Sequence, residues 1–118
     1  MRIRTHRLLR DDGQAGAYVA SPHAGGVITP RFPVLHYTAG SSAAGTIAWF
    51  RDPASRVSAH LVIARDGSIT QMVPFNREAW HAGQSRWGHL SGLNHHSIGI
   101  ELDNAGILIR SGGKWVSP

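Results

Sequence analysis

Eight histidines, His6, His23, His36, His60, His81, His89, His95 and His96, stand in a chain of 118 residues that has no cysteine. Imidazole is the commonest ligand of zinc, and a catalytic zinc keeps three protein ligands and one open position for water. Without thiolates, any metal here must be held by His, Asp or Glu. No two histidines form an HExxH pair on a helix, and no other spacing among them is diagnostic, so spacing alone does not assemble a metal site. The second chemically suggestive residue is Glu101. In the run Ser97-Ile98-Gly99-Ile100-Glu101-Leu102 a strand puts Ile98, Ile100 and Leu102 on one face and Gly99, Glu101 and Asp103 on the other. A carboxylate there suits a face that opens into a site, where it could act as a general acid or base.

Several elements must position these groups. Pro30 and Pro33 precede Val34-Leu35-His36-Tyr37, a short apolar run that predicts a buried strand with His36 in its C-terminal half. Ser41-Ser42 before Ala43-Ala44 reads as an N-cap, and Thr46 to Phe50 continues with helical spacing until Asp52-Pro53 stops it. His60 to Arg65 and Ser68 to Val73 flank Asp66-Gly67, which predicts a hairpin with a type I′ turn. Asn76 is expected to cap a turn carrying Glu78 to Trp80. The polar, glycine-rich stretch from Gly83 to His96 reads as a long loop. Gly99 lets another group approach the backbone closely. Asn104-Ala105-Gly106 and Ser111-Gly112-Gly113 are turns around Ile107-Leu108-Ile109 and Lys114-Trp115-Val116. Residues 1–29, with a short strand or arm around Ile3, Thr5 and Leu8-Leu9, are expected to carry little structure.

A chain of this length makes one domain with a limited core, burying about two-thirds of its unfolded surface. Eleven of the twelve cations are arginine and the formal net charge is +5. The charges are scattered apart from a cluster in the first ten residues, without aromatic interleaving, which argues against a nucleic-acid partner. No run is long enough for a membrane span, and no apolar stretch follows the N-terminal arginines as in a signal peptide, so a cytoplasmic location is the default expectation. Four to six short strands against one helix leave at least one apolar sheet face without a cover in this sequence.

Leu35-His36-Tyr37-Thr38-Ala39-Gly40, Ser58-Ala59-His60, Arg65-Asp66-Gly67, Ala79-Trp80-His81-Ala82-Gly83 and Ser97 to Leu102 occur in an order that resembles the zinc-dependent N-acetylmuramoyl-L-alanine amidases of type 2, related to peptidoglycan recognition proteins. The resemblance covers roughly residues 30 to 106. It implies an α/β fold with a mixed central β-sheet and flanking helices, residues 1–29 forming an N-terminal arm and loop and residues 30–118 the N-terminal part of a single amidase domain. It also implies hydrolysis of the amide between N-acetylmuramic acid and the L-alanine of the stem peptide, with Zn2+ as cofactor. His36 matches the family's first zinc ligand and Glu101 its catalytic acid. Trp80 and His81 match one wall of the substrate groove. Asn94 matches a loop position where an amide could bond peptide backbone, and Arg86 could meet a stem-peptide carboxylate. His60 matches a structural position. Ala59 stands where some phage relatives carry a tyrosine, which follows the bacterial muropeptide-recycling branch.

The family's other two zinc ligands and an electrostatic helper lie in a C-terminal segment with no counterpart here. The chain therefore reads as the N-terminal part of a longer amidase, inert alone unless a complementary segment or partner chain joins it. The rival from another class is a peptidoglycan- or muropeptide-binding module of the same fold that does not cut its ligand.

Overall fold

The computed structural model describes residues 1–40 and 42–117. Of the expected capping pair, Ser41 lies outside the described residues. Ser42 is the N-cap of helix α1 (Ala43–Arg51), its hydroxyl accepting from the Gly45 N–H, and the helix stops at Asp52 before Pro53. The strands are β1 (Arg2–Arg4), β2 (Arg7–Leu9), β3 (Ala17–Tyr18), β4 (Ala24–Val27), β5 (Phe32–Tyr37), β6 (Leu61–Ile63), β7 (Ile69–Gln71), β8 (Arg77–Ala79), β9 (Arg86–Trp87), β10 (Leu90–Ser91), β11 (Ser97–Leu102), β12 (Ile109–Ser111) and β13 (Lys114–Val116). A 3₁₀ turn covers Leu93–His95.

The central sheet is mixed, in the order β3-β7-β6-β11-β5. Its alternation explains its two faces. In the parallel pairing of β5 with β11, His36 lies opposite Glu101, Val34 opposite Gly99 and Leu35 opposite Ile100; on the other flank Val62 of β6 lies opposite Glu101. The front face therefore carries Val62, and α1 packs onto it. Phe50, Ala59, Val62 and Met72 form the buried core there, with Val19, Ala43, Ile47 and Val57 against it. The reverse face carries Pro33, Leu61, Ile98 and Ile100, which line an apolar depression together with Ile3 and Leu8 of the N-terminal hairpin. Leu35 remains 64% exposed. The expected apolar face is therefore partly covered by this chain's own N-terminal hairpin and open at Leu35. No helix among the described residues is long and apolar enough to cross a membrane.

Several local expectations are corrected. β5 is an edge strand and not a buried one, which is why it tolerates Pro33 and leaves Leu35 and Tyr37 exposed. The segment before residue 30 contributes β3 to the central sheet, and β4 pairs with β8 where a capped turn was expected at Glu78 to Trp80. Residues 83–96 form the small β9–β10 hairpin and the 3₁₀ turn. Pairings between strands of two to four residues leave little periodicity to read.

The hairpin between β6 and β7 exists, but its turn is not type I′. Only Gly67 has positive φ, at 87°. Gly67 N–H donates to the Ala64 carbonyl, and Ala64 N–H to the Ser68 carbonyl, which gives a three-residue loop closed by a glycine bulge. The Asp66 carboxylate accepts from the Ser68 N–H and hydroxyl, holding the turn in this form. The two-residue turn with positive φ at both positions is instead Thr5-His6, between β1 and β2. Gly67→Ala is expected to lower stability by about 1–2 kcal/mol, the strain of a Cβ in the left-handed region. Asp66→Gly, which would help a type I′ turn, is expected to destabilise by deleting the bonds to Ser68; urea unfolding of both variants checks the pair.

Candidate functional site

The front face opens between the C-terminal ends of β5 and β11 and the helix as a groove of about 420 Å³. Tyr37 and Thr38 line it on one side, Ser42, Gly45, Thr46 and Trp49 of α1 on another, and Trp80, His81 and Glu101 on its floor and far wall. Glu101 reaches it because β11 alternates, and the same alternation sets His36 beside it on the neighbouring strand. Burial pushes the Glu101 carboxyl above the usual range for glutamate. No cation pairs with it among the described residues.

The Ala79-Trp80-His81-Ala82-Gly83 segment is pinned from two sides. Ser58, buried, donates from its N–H to the Trp80 carbonyl, and its hydroxyl accepts from the Trp80 N–H at 2.9 Å while donating to the His23 carbonyl. Asn94 Oδ1 accepts from the N–H groups of His81, at 3.1 Å, and Ala82, at 2.8 Å. Asn94 thus holds this segment through Oδ1 and is not among the groove-lining residues. Arg86 is also absent from the groove wall; it sits on the exposed β9, with Nε towards the Gly88 carbonyl. Trp80 lines the groove, and its ring packs 5.4 Å from that of His23.

His81 fits because Gly99 has no side chain. A Cβ on Gly99 would stand 2.3 Å from His81 Cγ, an impossible contact. The His81 ring thereby lies against β11, with Nδ1 2.9 Å from His36 Nε2 and Nε2 3.1 Å from the Ser97 hydroxyl. His60 sits behind it as a structural residue. Fully buried, it accepts the Gly99 N–H at Nδ1 and donates from Nε2 to the Arg77 carbonyl, bridging β11 to β8. His95 lies apart and meets Glu78 at 3.0 Å. Arg65, read only as part of a turn, reaches the Gly40 carbonyl and the Asp103 carboxylate, and so braces the loop that follows His36.

Tyr37, Thr38 and Ser58, which the sequence offers only as parts of motifs, and Trp49, offered only as part of the helix, also line the groove. The available signal was on α1, where Ser42, Gly45, Thr46 and Trp49 recur at helical spacing as a face of small and polar residues ending in an indole that is 55% exposed.

The zinc centre that the resemblance implies can be tested against these residues. His36 offers a ring nitrogen, yet no three His, Asp or Glu side chains among the described residues are grouped so as to hold a metal ion. Catalytic zinc needs three protein ligands. The described residues do not by themselves fit that centre.

Burial lowers the pKa of His36 and, despite the Arg77 carbonyl, of His60; burial, aided by the neighbouring His36 and His60, lowers that of His81 to about 4. A histidine with a depressed folded pKa binds its proton first in the unfolded chain, so its stabilising effect is full above pH 6.5 and fades as pH falls toward the folded value. Glu101, shifted upward, acts in the opposite direction but is one group against three. The urea midpoint is therefore expected to fall between pH 7.5 and pH 5, and to fall less in His60→Asn. Gly99→Ala should displace the His81 ring and cost about 1–3 kcal/mol by overpacking, read as a lower urea midpoint together with shifted His81 ring resonances.

The sequence matches the pattern of the N-acetylmuramoyl-L-alanine amidases over residues 26–118. It is 53% identical over 53 residues to the 1,6-anhydro-N-acetylmuramyl-L-alanine amidase AmpD of Escherichia coli K12, a stretch covering 45% of this chain and 29% of that protein. The fold is similar to a crystal structure of an AmpD selenomethionine derivative, with a TM-score of 0.67 and 29% identity, covering 88% of this chain and 66% of that one. It is also similar to the E. coli amidase AmiD in complex with anhydro-N-acetylmuramic acid-L-Ala-D-γ-Glu-L-Lys, with a TM-score of 0.56 and 33% identity over 90% of this chain and 40% of AmiD. The chain thus spans less than two thirds of these relatives. Matched along most of its length, it belongs to the N-acetylmuramoyl-L-alanine amidase family.

Proposed function

We propose that the groove receives a muropeptide, and that the protein hydrolyses the amide between N-acetylmuramic acid and L-alanine. The observation that carries this reading is the half-buried, unpaired Glu101 carboxylate set across one strand pairing from His36 at the groove. A carboxylate whose pKa is raised towards neutrality is a better proton shuttle at working pH than an exposed one. Glu101 would take a proton from the water that attacks the lactyl carbonyl carbon. As the carbon–nitrogen bond breaks, it would return that proton to the alanine nitrogen, leaving a free carboxylic acid and a free amine. Trp80 and Trp49 would offer apolar ring faces to the sugar, and the small residues Gly45 and Ser42 leave space for the stem peptide. The AmiD complex, with its anhydro-muramyl tripeptide, supports the substrate class.

Zinc belongs to the proposal as the family's metal, with His36 as the ligand this chain would contribute. The remaining ligands would come from a complementary segment or partner chain. A second reading, a module that binds muropeptide without cutting it, is favoured by the lack of three convergent metal-binding side chains among the described residues.

Two measurements separate the readings. Anhydro-muramyl tripeptide should change the tryptophan fluorescence of this chain under both. Release of free L-alanyl peptide by the active protein, detected chromatographically, is expected only under the first, and Glu101→Gln should lower it about 10²- to 10⁴-fold with binding retained. Hydrolysis undiminished in Glu101→Gln would remove Glu101 from the role given it here.

A further inference from the structure

His36 and His81 share a hydrogen bond between two ring nitrogens, so one must donate and the other accept, and the residues behind them decide which. Ser97, fully buried at the start of β11, has one hydroxyl proton and lies 2.7 Å from the Leu93 carbonyl, which can only accept. That proton goes to Leu93. The Ser97 oxygen, 3.1 Å from His81 Nε2, must then accept from it. A neutral imidazole carries one proton, so His81 Nδ1 is left as a lone pair and takes its hydrogen bond from His36 Nε2–H at 2.9 Å. His36 in turn is left with its lone pair on Nδ1. No described side chain bonds that atom, and since no buried side-chain nitrogen lacks a partner, solvent reaches it.

We infer that Ser97 and His81 are positioning residues that hold His36 in the Nε2–H tautomer and so present Nδ1 as its electron-pair donor. Gly99 vacates the space that His81 Cγ occupies, and Asn94 fixes the His81 backbone through two N–H groups, so the ring cannot turn away from His36 without breaking bonds at both ends. A ligand meeting His36 therefore faces an acceptor nitrogen, which suits a cation or an N–H or O–H donor and excludes a carbonyl oxygen. The functional value of this arrangement rests on His36 being the site's nitrogen donor, as proposed above, but the tautomer itself can be read without substrate or turnover.

The test is a long-range ¹H–¹⁵N spectrum of the ¹⁵N-histidine-labelled chain near pH 7.5. Both His36 and His81 should be protonated at Nε2, with a ¹⁵N–¹⁵N coupling across the bond from His36 Nε2 to His81 Nδ1. His81→Ala should leave His36 a mixture of tautomers, whereas His81→Asn, whose amide oxygen can stand near the lost Nδ1, should restore the Nε2–H form. A wild-type His36 protonated at Nδ1, or a His36 tautomer indifferent to His81→Ala in a protein that remains folded, would overturn the relay. Should His81→Ala fail to fold, the wild-type spectrum still decides. A failed hydrolysis assay with the coupling present would sink only the amidase reading, and an active protein without the coupling only the relay.

Discussion

The parallel register between β5 and β11 is the constraint on which the site depends. It sets His36 opposite Glu101 and Val34 opposite Gly99, so a shift of either strand by one residue would send that strand's functional side chain to the reverse face and part the pair. Parallel pairing cannot be enforced by a tight turn, and here 59 residues lie between the end of β5 at Tyr37 and the start of β11 at Ser97. The register is held instead by groups around the sheet. The His60 ring accepts the Gly99 N–H while its backbone N–H donates to the Gly99 carbonyl, and Arg31 N–H bonds the His96 carbonyl at the strands' start.

Much of the remaining polar chemistry serves to hold one segment in place. Ser58 and Asn94 come from opposite sides of the sequence to pin Trp80 to Ala82, and the three groups involved are partly or wholly withdrawn from water. In such surroundings an unsatisfied N–H is costly, so each residue is fixed by what its loss would leave unpaired. No buried side-chain polar atom among the described residues lacks a partner. The apolar reverse face is the counterweight to this order, since Leu35 stays exposed there on an edge strand.

Expectations drawn from the sequence held where the determinants are local. The helix from Ala43, its Ser42 cap and its end at Asp52-Pro53 follow from neighbouring residues, and the front-face position of Glu101 follows from strict alternation through β11. Where a partner distant in sequence decides, the local reading stops short. Asn94 reads as a polar loop residue until His81 is brought beside it, and Arg86 reads as a carboxylate clamp until β9 carries it away from the groove. The Asp66-Gly67 turn failed for a smaller reason. Asp66 bonds Ser68 through its carboxylate, and that local bond favours the bulged loop over the expected mirror-image turn.

What the sequence determined by itself was the set of groups available and their local geometry: no thiolate, eight imidazoles, one helix with its stops, and a carboxylate alternating onto the face opposite Ile98 and Ile100. The motifs in order were also enough to indicate the family. Only the tertiary structure decided which of the eight histidines meet, that Gly99 exists to admit His81, and which nitrogen of His36 is left with its lone pair. Those are consequences of contacts between residues 36, 81, 97 and 99, and hydrogen-bond direction is fixed by the last acceptor in the chain of contacts, which no spacing along the sequence reveals.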